Sequence, residues 1–246
     1  MSTKQPNSAP ILLGICGPNG SGKSTAYKTL VASGQLEKLP WINADDLLRR
    51  LQRNETVSLN DFGLTLGDVI EFNQLVEHDS LTISLRAQGD TISLYANESG
   101  NLVIDDRATA YEAAIATSVL RSMLIEKKIS FAFETVMSHI SKVQLFEKAL
   151  AAGFDTQLIF VCTNDPKINV DRVAMRVRQG GHDVAESKIR ARYIRSLELL
   201  PLAAAACSKI TLLDTTTIPR VIATKKYDTW KSYPTVPSWA EATLSV

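Results

Sequence analysis

Residues 14–25 read GICGPNGSGKST, and no other stretch restricts the fold of this chain as strongly. Gly17, Gly22, Lys23 and Ser24 fit the pattern G-x-x-x-x-G-K-[ST], with Pro18, Asn19, Gly20, Ser21 and Thr25 completing the run. The pattern needs a strand before it and a helix after it. Both are legible. ILLGIC (11–16) is a short, continuous apolar run, which suits a strand buried on both faces of a parallel sheet. A helix is predicted from about Lys23 to Ala32. Between them, the glycines let backbone amides turn inward around phosphate oxygens. The helix N-terminus adds its dipole, Lys23 adds a point charge, and the Ser24 hydroxyl can bind a metal. The ligand that satisfies all of these is a nucleoside triphosphate with Mg2+.

The rest of the chain alternates strands with helices. WINADDLLRRL (41–51) predicts a short strand, a turn and a helix, and YEAAIATSVLRSMLIEKK (111–128) a helix. SFAFETV (130–136) is a second buried strand, and KVQLFEKALAAG (142–153) a helix ending at Gly153. QLIFVCT (157–163) is a strand, residues 170–199 form an arginine-rich helical region, and KITLLDT (209–215) is a last strand. The fold class is α/β, a parallel sheet flanked by helices of the P-loop NTPase/kinase-like kind. Residues 79–105 break the alternation. LTISL (81–85) and TISLY (91–95) both alternate apolar with polar residues, and NESGN precedes LVI (102–104). The expectation is a small antiparallel β-hairpin or meander, inserted into a single domain of residues 1–246. It either covers apolar surface or recognises substrate. In the tail, Pro234 and Pro237 interrupt regular structure, and Trp230, Tyr233 and Trp239 are expected to pack on the domain.

Net charge is +1, so no global field draws the chain to nucleic acid or to a membrane. The start, MSTKQPNSAP, has no apolar signal-peptide core, and no apolar run approaches the ~20 residues of a membrane span. Cys16, Cys162 and Cys207 read as buried thiols in a reducing compartment. Together these predict a cytoplasmic protein.

Phosphoryl transfer needs an acceptor held in line and positive charge around the transferring group. Three constellations supply candidates. In INADD (42–46), a carboxylate just past the second strand faces the crevice above the strand C-termini. Asp45 there is a candidate proton acceptor, although either Asp45 or Asp46 is also a candidate helix cap. In FAFETVMSH (131–139), Glu134 ends an apolar strand, where a charge needs a partner. It reads as a magnesium-side acid, a clamp on a substrate hydroxyl, or a buried ion pair with an arginine. In DRVAMRVRQGGHDVAESKIRARYIRSL (171–197), Arg172, Arg176 and Arg178 precede Arg190, Arg192 and Arg195 on the next helix. They are either solvated faces paired with Glu186 and Glu198, or a lid closing over phosphates about a Gly180–Gly181 hinge. Asp183 and Glu186 form a candidate capping box. His78 and His139 lack a metal-ligand pattern.

The combination GPNGSGKST, INADD, FAFETVMSH and RVxxRVRQGGHDV…KIRARYIRSL resembles the zeta-toxin-like family of P-loop kinases, from about Ile11 to Pro201. The resemblance implies ATP-dependent phosphorylation of a hydroxyl on a small molecule, in the best-known members the sugar of UDP-N-acetylglucosamine. By motif position it implies that Lys23 and Ser24 are the phosphate-loop lysine and hydroxyl and that Asp45 is the catalytic aspartate. Glu134, with Thr135 beside it, is implied to bind substrate. Arg172 and either Arg176 or Arg178 are implied to be lid arginines. The chain departs from the pattern where substrate is read: Thr135-Val136 follows the strand-end glutamate, where the family has Gly-Thr. Nothing in the sequence shows an antitoxin. Two other readings compete. A transporter-type ATPase shares GPNGSGKST but would carry an LSGGQ-like signature ahead of a strand ending in Asp-Glu; only LVIDD (102–106) superficially resembles that strand. A polynucleotide or nucleoside kinase would use the arginines, but no basic-aromatic platform accompanies them.

Overall fold

ILLGIC, FAFET, QLIFVC and KITLLD become neighbouring strands of one sheet in the computed structural model, which describes residues 9–104, 108–181 and 183–244. In chain order the first elements are β1 (Ile11–Cys16), α1 (Lys23–Ala32), β2 (Trp41–Ile42), α2 (Ala44–Gln52), α3 (Val69–His78), α4 (Ser80–Ala87), β3 (Leu94–Ala96), β4 (Leu102–Ile104) and α5 (Ala110–Glu126). There follow β5 (Phe131–Thr135), α6 (Ser141–Ala151), β6 (Asp155–Cys162), α7 (Pro166–Arg178), α8 (Glu186–Ala205), β7 (Lys209–Asp214), β8 (Arg220–Lys226), β9 (Thr229–Ser232) and α9 (Ser238–Leu244). Contacts divide the chain into two compact units, residues 1–38 with 133–246, and residues 39–132.

In the first unit the sheet order is β5-β1-β6-β7-β8-β9. β6 lies parallel to both β1 and β7, with Gly14 opposite Leu158 and Leu158 opposite Ile210. These central strands are buried on both faces, which is why they read as unbroken apolar runs. Helix α6 comes so close to β1 that a Cβ on Gly14 would lie 2.3 Å from the Phe146 ring.

KITLLDT is not the last strand. The chain turns back after β7 into β8 and β9, which extend the sheet antiparallel. The expected irregular tail is therefore a hairpin followed by α9. Its turn passes through Tyr227 at a φ of +53°, a conformation that glycine or asparagine usually marks. Trp239 of α9 packs on Phe160 with ring centroids 5.9 Å apart, so the packing expected of the tail aromatics holds for this one.

In the second unit, β2 meets the opening of β5 where the Ala132 amide donates to the Pro40 carbonyl. LTISL is helical, not a strand: it forms α4. Asp79 caps it by accepting from the Leu81 amide, and Thr82 and Leu85, three apart, are its buried face. A five-residue window fits a period of 2 and a period of 3.6 almost equally well. The hairpin is real but smaller than expected: β3 pairs antiparallel with β4, Leu94 opposite Ile104. NESGN is its turn, where the Asn97 side chain accepts from the Ser99 and Asn101 amides. Asn73 of α3 grips the hairpin through two bonds to the Ala96 backbone, at 2.7 and 2.9 Å. Asp105 and Asp106 of LVIDD lie outside the described residues.

Cys16, Cys162 and Cys207 are free and buried. Burial pushes the thiols of Cys16 and Cys162 up to about 12 and that of Cys207 well above its ordinary value. At pH 8 a thiol of pKa near 12 is ionised to about one part in ten thousand. The folded protein is expected to resist a thiol-disulfide reagent at pH 8 and to react at three sites once denatured. Rapid labelling of the native protein would contradict this burial.

Candidate active site

The phosphate loop joins β1 to α1 and is built on close backbone approaches. A Cβ on Gly17 would stand 2.0 Å from the Val161 carbonyl oxygen, and one on Gly20 would stand 2.4 Å from that of Asn169. Gly17 and Gly20 also have φ of +141° and +74°. Gly20→Ala should cost about 2–4 kcal/mol, from overpacking and left-handed strain. Chemical denaturation would measure that cost, and an unchanged midpoint would contradict the close packing.

Gly22 is the N-cap of α1, in the left-handed conformation, with no side-chain cap and no acidic residue in the first turn. In contrast, Asn43 caps α2, Thr109 caps α5 and Asp165 caps α7. Among the described residues no side chain caps the first-turn amides of α1, which suits an outside anion. Lys23 is only 6% exposed, and its Nζ donates to the Pro18 carbonyl at 2.8 Å. That ammonium also stands 4.0 Å from Glu134 Oε1, and the Ser24 hydroxyl donates to Glu134 Oε2 at 2.8 Å. Glu134 thus faces the loop's lysine and hydroxyl, and the partners these distances give it are not arginines. Thr135, half-buried, is the last residue of β5.

A shell of uncharged groups holds the loop in place. The buried Asn169 side chain donates to the Asn19 carbonyl at 2.6 Å and accepts from the Thr163 hydroxyl. The Thr215 hydroxyl lies 2.7 Å from the Ser21 carbonyl and 3.1 Å from that of Cys162. The Ser21 hydroxyl itself is buried with no hydrogen-bond partner among the described residues. Sequence reading missed Asn169 and Thr215. Thr215 closes the KITLLDT run at a strand C-terminus, a place that could have flagged it; Asn169 sits at the end of the first turn of α7 with no signal.

The arginines divide. The Arg172 guanidinium donates to the Thr215 carbonyl at 2.6 Å, with contacts of 3.5 Å to the Thr215 hydroxyl and the Thr216 carbonyl. In this structure it is thereby held to the loop after β7. Arg176 and Arg178 lie exposed in the last turn of α7. Arg192 of α8 reaches the phosphate loop, with Nη1 3.4 Å from Asn19 Oδ1. Gly180 and Gly181 are a helix stop in this structure, not an open hinge. The Gly180 amide bonds the Val177 carbonyl and the Gly181 amide the Arg176 carbonyl, the paired bonds of a Schellman motif, with Gly180 at φ +81°. The Asp183–Glu186 capping box is absent: Ala185 is the N-cap of α8, with no side-chain cap, and Glu186 pairs with Arg190 at 2.7 Å. His182 lies outside the described residues.

On the second unit, neither aspartate of INADD caps α2. Asn43 does so, accepting from the amides of both Asp45 and Asp46. Asp46 is engaged elsewhere, by the Trp41 indole N–H at 2.9 Å and by Arg49. Asp45 is exposed in the first turn, and no hydrogen bond or ion pair to its carboxylate occurs among the described residues.

A glycine-bent loop between a buried parallel strand and an uncapped helix, its lysine and hydroxyl facing a strand-end carboxylate, defines a P-loop fold with its nucleotide loop intact. The family model described as zeta toxin matches residues 106–235. That is more than half of the 246 residues, and the chain belongs to this family. An uncharacterized protein of Haemophilus influenzae is 35% identical over 69 residues, 28% of this chain. The match spans 49% of that relative, about half its length. Among solved structures, one from the PezAT chromosomal toxin–antitoxin system of Streptococcus pneumoniae superposes with a TM-score of 0.52 at 14% identity, over 97% of this chain and 77% of that one. The AvrRxo1-ORF1:-ORF2 structure with ATP gives 0.51 at 9% identity, over 96% of this chain and 63% of that one. Both likenesses bear on the fold.

Proposed function

We propose that the protein is an ATP-dependent phosphotransferase that moves the γ-phosphoryl group to a hydroxyl of a small molecule. The meeting of Lys23, Ser24 and Glu134 at the phosphate loop carries this reading. The loop amides and Lys23 hold the phosphates. Asp45 takes the proton of the acceptor hydroxyl as its oxygen bonds the γ-phosphorus and the bond from that phosphorus to the bridging oxygen breaks, releasing ADP. Asn169, Thr215 and Arg172 keep the loop in shape, and Arg192, with Arg176 and Arg178 of α7, supplies positive charge at the transferring group. Glu134 and Thr135 stand at the substrate side of the strand end.

Ser24 and Glu134 offer two oxygens of the kind Mg2+ prefers. Among the described residues no group of three or more His, Cys, Asp and Glu could hold a metal. Mg2+ suits such a site, because it usually takes one or two protein oxygens and completes its shell with phosphate and water. When bound, it would neutralise charge on the nucleotide phosphates.

Among the described residues no helix is long and apolar enough to cross a membrane, and with three buried free thiols this supports a cytoplasmic enzyme. Family likeness makes a nucleotide sugar such as UDP-N-acetylglucosamine the first acceptor to test. Incubation with Mg-ATP and UDP-N-acetylglucosamine, beside an acceptor-free control, should give a new phosphomonoester by phosphorus NMR only when acceptor is present. Equal release of free phosphate in both tubes would point instead to an ATPase.

A further inference from the structure

Strands β7, β8 and β9 pair antiparallel at the edge of the sheet, and all three belong to the unit of residues 1–38 with 133–246. Their register decides which side chains share a face. Lys209 stands opposite Lys226, which stands opposite Thr229. Two residues along, Thr211 stands opposite Thr224, which stands opposite Lys231. Directly paired residues point to the same face, so these side chains form a grid of two rows across three strands. Neighbouring strands lie about 5 Å apart, so each row is about 10 Å long. The alternate residues face the other way. Ile210 and Leu212 are buried, and Lys225 donates to the Ala204 carbonyl in the last turn of α8 at 2.7 Å. The grid thus lies on the face turned away from α8, half-buried at β7 and exposed at β9.

Every member of the grid ends in a hydrogen-bond donor, an ammonium or a hydroxyl. Lys209 faces Lys226 directly, and like charges so placed destabilise a strand pair. Asp155 compensates Lys209 at 2.6 Å. Among the described residues, Lys226 and Lys231 enter no ion pair. Residues 220–233 carry Arg220, Lys225, Lys226 and Lys231 against a single acid, Asp228. A net charge of +1 excludes a global field but leaves room for a local one such as this. The grid therefore suits an anion that spans several donors. An aromatic ring adjoins it. Tyr233, 38% exposed, follows Lys231 by two residues on the same face, and Lys231 Nζ lies 5.3 Å from its ring centroid. The Tyr233 amide donates to the Ile222 carbonyl, which fixes that ring beside the grid. An acidic peptide would use the lysines and leave the tyrosine without a role. A lipid surface would want apolar side chains where the grid has threonines. Single-stranded nucleic acid uses all of it: phosphates take the lysines and hydroxyls, and an unpaired base lies on the tyrosine. We propose that this face binds single-stranded nucleic acid, DNA or RNA, without sequence preference. This is a second property of the chain, independent of the phosphotransferase reading.

Fluorescence anisotropy of the full chain with labelled oligothymidine and oligouridine of about 15 nucleotides tests it. Both should bind, and affinity should fall about 10–20-fold between about 50 and 200 mM salt, as about three phosphate contacts require. Lys226→Gln with Lys231→Gln should weaken binding and cut that salt loss to about threefold. Tyr233→Leu should weaken binding at least about fivefold and leave the salt loss unchanged. Melting curves of the variants accompany the titrations; if Tyr233→Leu does not fold, the lysine pair, both at exposed positions, still decides. A duplex of the same length should bind severalfold more weakly, because its bases are closed to the tyrosine. The inference fails if neither oligonucleotide binds at the lower salt, or if the lysine pair leaves the salt loss unchanged. It also fails if folded Tyr233→Leu binds as the parent does. Polyglutamate or anionic phosphatidylserine vesicles binding as tightly as the oligonucleotides would equally overturn it, since the face would then read charge alone. Weakening by Arg178→Gln instead of the lysine pair would move the nucleic acid to α7 and contradict the proposal.

Discussion

Asp45→Asn is expected to lower turnover about 10²–10⁴-fold while leaving ATP affinity within about twofold. The substitution is nearly isosteric and removes only the capacity to accept a proton. Its structural cost should be small, because the helix cap belongs to Asn43 and the ion pair with Arg49 belongs to Asp46. No partner among the described residues loses a bond when the Asp45 carboxylate goes. Steady-state rates, calorimetric ATP binding and a melting curve on the same preparation separate these effects. Unchanged turnover would remove Asp45 from the mechanism. Lost ATP binding would mean that its role is electrostatic support of the donor site.

Lys23→Ala should be more damaging, because it acts on both binding and chemistry. The ammonium is nearly buried and stands between the Pro18 carbonyl and Glu134. Removing it leaves two oxygens facing each other where phosphate oxygens must also enter. A loss of about 10³-fold in kcat/KM is expected, with ATP affinity falling alongside. The Glu134 carboxylate, 13% exposed, loses a nearby positive charge, so the variant should also melt at a lower temperature. Adding Glu134→Gln to Lys23→Ala should restore part of that stability but none of the activity. Stability that falls further in the double variant would mean that the two side chains are not coupled.

The sequence was most legible where chemistry and fold impose the same pattern. GPNGSGKST could be placed between a strand and a helix because its glycines, its lysine and its apolar flank serve one geometry. Glu134 stood out because a carboxylate at the end of FAFET must find a partner, and it faces Lys23 and Ser24. Legibility failed where tertiary contacts decide. LTISL carried a strand-like alternation, yet the cap at Asp79 and the burial of Thr82 and Leu85 made it helical. RVIATKK and TWKS form an edge hairpin, half-exposed and turned by Tyr227 without a glycine, so neither period nor turn announced them. Gly180–Gly181 looked like a hinge, but the same residues satisfy the last carbonyls of α7. Asn169 and Thr215 act through single bonds to loop carbonyls, which no spacing encodes.

On the proposed function, this phosphate loop passes a phosphoryl group to an organic hydroxyl rather than to water. The most direct measurement supplies γ-phosphorus-labelled Mg-ATP to the protein in a deproteinised, phosphatase-free metabolite extract and separates the labelled products. Label should appear in an organic phosphomonoester, and Asp45→Asn should abolish it. Label recovered only as inorganic phosphate, at a rate indifferent to the extract, would mean that water, not an organic hydroxyl, is the acceptor.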